Sequence, residues 1–107
     1  MSELWKISSL YTKYEVSNFG NIRNRRTKRL KKYQRGAGGY LYTTLQLYNG
    51  KQRPCLVHLI VATEWVEGQS DLNNTVHHID NDKTNYKPEN LCWISHADND
   101  KLKYREG

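Results

Sequence analysis

The sequence predicts an α+β chain: a small N-terminal antiparallel β-sheet with a short helix, followed by a strand, a long loop, a second strand and a final helix. Three observations carry that prediction. Residues 40–48 alternate, with Leu41, Thr43, Leu45 and Leu47 on one face and Tyr40, Tyr42, Thr44, Gln46 and Tyr48 on the other, which is the period of a half-buried strand. Asn49-Gly50 follows directly and signals a hairpin, because both residues tolerate positive φ. The period then changes over residues 58–67, where Leu59, Ile60, Val61, Ala62, Trp65 and Val66 make the segment apolar on most sides. Such a helix belongs in the core, against the sheet.

The remaining elements follow in order. Trp5-Lys6-Ile7 and Tyr14-Glu15-Val16 read as short strands, residues 17–21 are rich in turn formers, and Ile22-Arg23 resumes an extended course. The strand returning from Asn49-Gly50 contains Pro54, which cannot donate to a ladder and confines it to an edge. Gly68 is placed to end the helix. Beyond a polar connector over 69–74, residues 75–79 form a strand, 80–90 a loop packed with Asn, Asp and Lys, and 91–94 a second strand. Ser95 is a good N-cap for a helix reaching about Tyr104, with Lys101, Lys103 and Arg105 near its end as the helix dipole prefers. This divides the chain into a basic β-rich module over 1–68 and a second unit over 69–107.

A chain of 107 residues is one compact domain or two very small units sharing a core, which excludes a large multidomain enzyme. Leu, Ile, Val and Phe number only 22, but eight Tyr and three Trp supply large buried areas per residue. The longest mostly apolar run, 54–62, is far short of the ~20 residues that span a bilayer, and the first residues have neither a basic nor an apolar signal region. The expectation is a soluble, unexported protein without a membrane partner. Cys55 and Cys92 are single and distant, so reduced thiols are expected, not a disulfide framework or a Cys-based zinc knuckle.

The net charge of +6 conceals a split, +10 over residues 1–60 and −4 over residues 61–107. The basic side is concentrated in residues 22–35, where Arg23, Arg25, Arg26, Lys28, Arg29, Lys31, Lys32 and Arg35 stand with no acid among them. Eight cations in fourteen positions, with Tyr33 among them and Gly36, Gly38 and Gly39 following, are better explained by phosphate contact than by simple solvation. Such contacts set affinity and register without reading sequence.

The densest polar cluster runs from His77 to Asn85, with Asn90 and Asn99 further on. Adjacent strand residues point to opposite faces, so His77 and His78 take unequal roles. One is suited to hold a divalent metal together with Asn99 from the final helix, leaving open positions for water and phosphate oxygens. The other is suited to deprotonate a water that attacks phosphorus, since imidazole titrates near neutral pH. Asn90 is placed to accept that ring's second N–H and fix its tautomer.

The run V-H-H-I-D-N-D-K-T-N-Y-K-P-E-N-L-C-W-I-S-H-A-D-N resembles the His-Asn-His (HNH) endonucleases of the ββα-metal superfamily, particularly the phage and intron homing type. W-K-I, Y-E-V-S-N-F-G-N-I-R-N, G-Y-L-Y-T-T-L and V-H-L-I-V-A resemble the small module that commonly precedes the nuclease motif there. The resemblance covers nearly the whole chain and implies a C-terminal ββα-metal motif. It places the first metal ligand at His77, the general base at His78, its supporting residue at Asn90 and the second ligand at Asn99.

The resemblance further implies cleavage of double-stranded DNA with Mg²⁺ or Mn²⁺ as cofactor, in the cytoplasm of a bacterial host and from a phage genome. One motif is one active site, so a monomer nicks one strand and a homodimer, or two events, cuts both. Homing members usually carry Asp or Asn where His77 stands; imidazole resembles the bacterial toxin nucleases and admits Zn²⁺ or Ni²⁺. Asp80-Asn81-Asp82 stands in place of Asp-Gly-Asn, and Leu59 replaces a common basic residue. His58 and His96 are read as structural, and Asp80, Asp82 and Asn85 as ordering the loop. Two rival readings are a non-catalytic DNA-binding module on the same fold and a phage accessory protein with a structural zinc.

Overall fold

The computed structural model describes residues 2–98. Strands β1 (Trp5–Ile7), β2 (Tyr14–Ser17) and β3 (Ile22–Asn24) form one antiparallel sheet in that order, and β4 (Gln34–Arg35), β5 (Leu41–Gln46) and β6 (Gln52–Leu56) form a second. Helix α1 (Val57–Trp65) follows, and β7 (Thr75–His78) pairs with β8 (Leu91–Ile94) as a two-stranded hairpin. The α+β class is as the sequence predicts, with the N-terminal strands divided between two sheets. The division falls at Asn24, whose side chain ends β3 by accepting the N–H groups of Arg26 and Thr27 at 2.9 Å each. No helix among the described residues is long and apolar enough to cross a membrane.

The alternation in β5 is realised, with Thr43 and Leu45 buried, and β6 is an edge strand as Pro54 requires. The turn between them differs from the expected two-residue form. Only Gly50 adopts positive φ, at +84°. Leu47 N–H bonds Lys51 O at 2.7 Å and Gly50 N–H bonds Leu47 O at 3.0 Å, so the loop is a turn followed by one left-handed residue. Asn49 instead accepts Lys51 N–H through its side chain, at 3.1 Å.

Helix α1 ends at Trp65, before Gly68. Val66 is extended at φ −116° and ψ 120°, and its carbonyl accepts the indole N–H of Trp93 at 3.0 Å. The indole N–H of Trp65 reaches Val16 O, also at 3.0 Å. Two tryptophans thus tie the helix end to β2 on one side and β8 on the other. The core joins Val16 and Ile22 with Leu45, Val57, Ile60, Val61, Ala62, Leu91 and Trp93, so α1 is the common wall of all three sheets. Each fully buried Val or Ile contributes roughly 1.5–3 kcal/mol of hydrophobic stabilisation. Cys55 is buried and Cys92 half-buried, both as free thiols.

A second seam joins the sheets near the surface. Tyr33 and Tyr86 pack edge to face with ring centroids 4.9 Å apart, and Tyr33 donates its hydroxyl to Gly20 O at 2.6 Å. Burial pushes the Tyr33 phenol far above its ordinary range. Gly20 lies against Tyr86 with φ +85°.

Candidate functional site

The β7–β8 hairpin sets the site by register. Val76 pairs with Trp93 and His78 with Leu91 on the face toward α1, while His77 pairs with Cys92 on the opposite face. His78 is buried and His77 half-buried, so the expected division of the two histidines between faces is realised. His77 is half-buried on the outer face with no hydrogen bond to any described residue, which leaves its ring nitrogens available to a metal. Asn99, the expected second ligand, lies outside the described residues. Ser95 does cap a helical turn over 96–98, accepting Asp98 N–H at 3.1 Å. Among the described residues no three His, Cys, Asp or Glu side chains gather as a metal site.

The loop between the strands is built on Asn90. Its side-chain oxygen accepts Asp80 N–H at 3.1 Å, and its side-chain nitrogen donates to Asp80 Oδ1 at 2.9 Å and Asn85 O at 3.0 Å. The carboxamide is therefore occupied by the loop, and its oxygen does not take the His78 ring N–H that the sequence suggested. Asp80, Asp82 and Asn85 order the loop as expected: Asp80 accepts from Asp82 N–H and the Asn85 amide, and Asp82 accepts from Thr84. The hydrogen bond from Asn85 foremost holds the Asp80 carboxyl below its usual range, and that from Thr84 does the same for Asp82. Asn81 takes the left-handed conformation, at φ +62°.

His78 packs against a residue the sequence left as structural. The His58 ring, from the first turn of α1, lies 4.8 Å from it at an interplanar angle of 67°. Tyr40 covers both, at 5.1 Å from His58 and 5.8 Å from His78. The Lys83 ammonium sits 4.9 Å above Tyr40 and bonds Gly38 O at 2.8 Å, which fastens the β7–β8 loop to the chain before β5. His58 Nδ1 and His78 Nε2 are both buried without a hydrogen-bond partner. The signal for His58 was its place inside the V-H-L-I-V-A run; its partner was invisible because the two histidines are twenty residues apart.

Burial, and then the neighbouring His78, lower the His58 pKa to about 4. Burial also lowers that of His78, opposed by the nearby Asp80 and Asp82 carboxylates. An unfolded imidazole titrates near 6.5, so between about 6.5 and 4 the unfolded chain binds a proton that folded His58 refuses. Stability is therefore full above that window and falls as pH drops through it, by on the order of 3 kcal/mol from His58. Urea melts across the window should show this slope in the native chain and a flatter one in His58→Phe; equal slopes would contradict the assignment.

The basic segment is a shaped hairpin in which the cations are unequal. Arg23 Nε and Lys28 Nζ both pair with Glu15 Oε1, at 2.8 and 2.9 Å, and Arg23 also stacks 3.8 Å over Trp5. Lys28 and then Arg23 hold the Glu15 carboxyl below its usual range. Arg25 bonds Thr12 O at 3.2 Å. Arg29, Lys31 and Lys32 line a cleft of about 490 Å³ with Asn24, Thr27 and Gln34, and Arg25 and Arg26 line a second of about 420 Å³ with Lys13 and Gln46. Glu15 thus neutralises part of a run that appeared purely cationic in sequence.

Comparison with known proteins covers both parts of the chain. Residues 55–101 match an HNH endonuclease family and residues 3–46 match the NUMOD4 motif. Two proteins of Acanthamoeba polyphaga mimivirus, both named as uncharacterized HNH endonucleases, are 34% identical over 100 residues and 33% identical over 92 residues. These alignments take in 91% and 86% of this chain but 25% and 27% of theirs, so the chain spans about a quarter of the length of those curated relatives. A solved structure showing DNA binding and cleavage by the HNH homing endonuclease I-HmuI superposes with a TM-score of 0.84 at 30% identity, over 97% of this chain and 59% of that one.

Proposed function

Since the chain belongs to the HNH endonuclease family, with a NUMOD4 motif ahead of its nuclease segment, we propose that it is a metal-dependent endonuclease of the homing type that hydrolyses phosphodiester bonds in double-stranded DNA. The observation that carries the reading is the buried His78 imidazole, packed on His58 of α1 and paired with β8 at the foot of a loop that Asn90 ties together. His78 is the general base. It takes a proton from water at a ring nitrogen while the water oxygen bonds to phosphorus and the P–O bond to the leaving oxygen breaks.

His77 and Asn99 would hold one divalent cation, which would stabilise the charge growing on the scissile phosphate. Mg²⁺ or Mn²⁺ is the proposed metal, with Zn²⁺ or Ni²⁺ admitted by the imidazole ligand. Asn90 acts through the loop, by fixing the turn that leaves His78. A single site nicks one strand per event, whether the chain acts as monomer or homodimer.

Supercoiled plasmid incubated with the chain and Mg²⁺ or Mn²⁺ should convert to the open circle, and chelator should stop the conversion. An absence of metal-dependent nicking would overturn the proposal. The basic clefts supply the grip on the duplex, so Arg29→Ala, Lys31→Ala and Lys32→Ala should each lower the dependence of log affinity on log salt by about one. Lys28→Ala should lower that slope by less, because Glu15 offsets part of its charge together with that of Arg23. Equal slope changes in titrations of a random duplex would refute this division.

A further inference from the structure

We infer that His58 is a positioning residue for His78: its Nδ1 accepts the Nε2–H of His78 and so fixes the tautomer in which His78 Nδ1 keeps a free lone pair for water. This rests on the reading of His78 as general base.

The argument begins with two deficits. Buried polar atoms are almost always hydrogen-bonded, and leaving one bare costs about 1–3 kcal/mol. Here two nitrogens are bare, His58 Nδ1 and His78 Nε2, and they belong to two rings in contact at 4.8 Å. A neutral imidazole has one donor and one acceptor nitrogen. The two deficits therefore cancel when one bare nitrogen carries a proton and the other does not. A hydrogen bond between these two nitrogens would remove both deficits within a ring contact already made at 4.8 Å.

The direction of the bond follows from the surroundings. His58 sits in the first turn of α1, where the positive end of the helix dipole disfavours an imidazolium. With its pKa lowered to about 4, His58 is neutral at ordinary pH and retains a lone pair to offer. The usual alternative partner is missing, because the Asn90 carboxamide is bonded to Asp80 and Asn85. His78 Nε2–H is then the donor, and Nδ1, which carries no buried deficit, is the basic nitrogen. Tyr40 packs on both rings.

The test is long-range ¹H–¹⁵N correlation on the metal-free full chain near neutral pH, which reports the tautomer of each histidine without requiring activity. The native chain should show His78 protonated at Nε2 with a deshielded Nδ1. His58→Phe keeps a ring but no acceptor; His78 should lose the single tautomer, and kcat for plasmid nicking should fall about 10- to 100-fold with KM little changed. His58→Gln, which restores an acceptor oxygen, should recover part of both. A native His78 protonated at Nδ1, or a tautomer and kcat indifferent to His58→Phe, overturns the inference. A chain that nicks normally without the Nε2–H tautomer refutes the pairing alone. A chain that shows the pairing yet never nicks refutes the nuclease reading alone.

Discussion

His78→Ala is expected to lower the plasmid-nicking rate by on the order of 100- to 10,000-fold, the usual contribution of a positioned general base. The substitution removes the proposed proton acceptor but leaves the basic clefts, which are lined by Arg25, Arg26, Arg29, Lys31 and Lys32, so duplex affinity should change little. His78 is only 5% exposed and packs on His58 and Tyr40. Alanine therefore leaves a cavity, and a fall in melting temperature is expected alongside the loss of activity. His78→Gln, closer in size, separates the two effects by restoring stability without restoring a base. Nicking that persists at the native rate in a folded His78→Gln chain would remove His78 from the chemistry.

The largest expected effect on stability belongs to Gly20→Ala. At φ +85° a side chain already costs about 1–2 kcal/mol, and here the added Cβ would stand 2.5 Å from Tyr86 Cδ2 and 2.9 Å from Tyr86 O. The ring has little freedom to retreat, because its other side meets Tyr33 and the second clash is with backbone. Overpacking of this kind adds roughly 1–3 kcal/mol, for a total of roughly 2–5 kcal/mol. Gly50→Ala is the control: it has nearly the same φ, +84°, but open space around it, so only the conformational cost applies. Urea unfolding of both variants measures the difference, and equal losses would show that the Tyr86 contact is slack.

The elements set by local pattern were legible in the residues. The β5 alternation, the edge position imposed by Pro54, the α1 run and the β7–β8 hairpin depend on neighbours within a few residues, and each formed near where its pattern placed it, with shifts at the element ends. What escaped depends on partners remote in sequence. Helix α1 stops short of Gly68 because Trp93, twenty-seven residues beyond Val66, takes the Val66 carbonyl. The basic run loses part of its charge to Glu15, which sits one strand earlier and faces Arg23 only through the β2–β3 register. The site shows the same limit. The opposite facing of His77 and His78 follows from strand geometry alone, whereas the contact of His78 with His58 and the engagement of Asn90 with its own loop arise from tertiary packing.

The two recognised segments meet inside a hairpin. The NUMOD4 match ends at residue 46 and the HNH match begins at residue 55, while β5 and β6 pair across that gap from Tyr42↔Leu56 to Gln46↔Gln52. A genetic crossover between the segments would therefore bequeath one strand without its mate, and the edge Pro54 would have to find a new ladder in whatever module arrived. The unit that can be inherited intact is the hairpin with everything it joins, so exchange of such segments among related genes is expected to leave breakpoints outside residues 41–56, a pattern open to direct inspection in recombinant lineages.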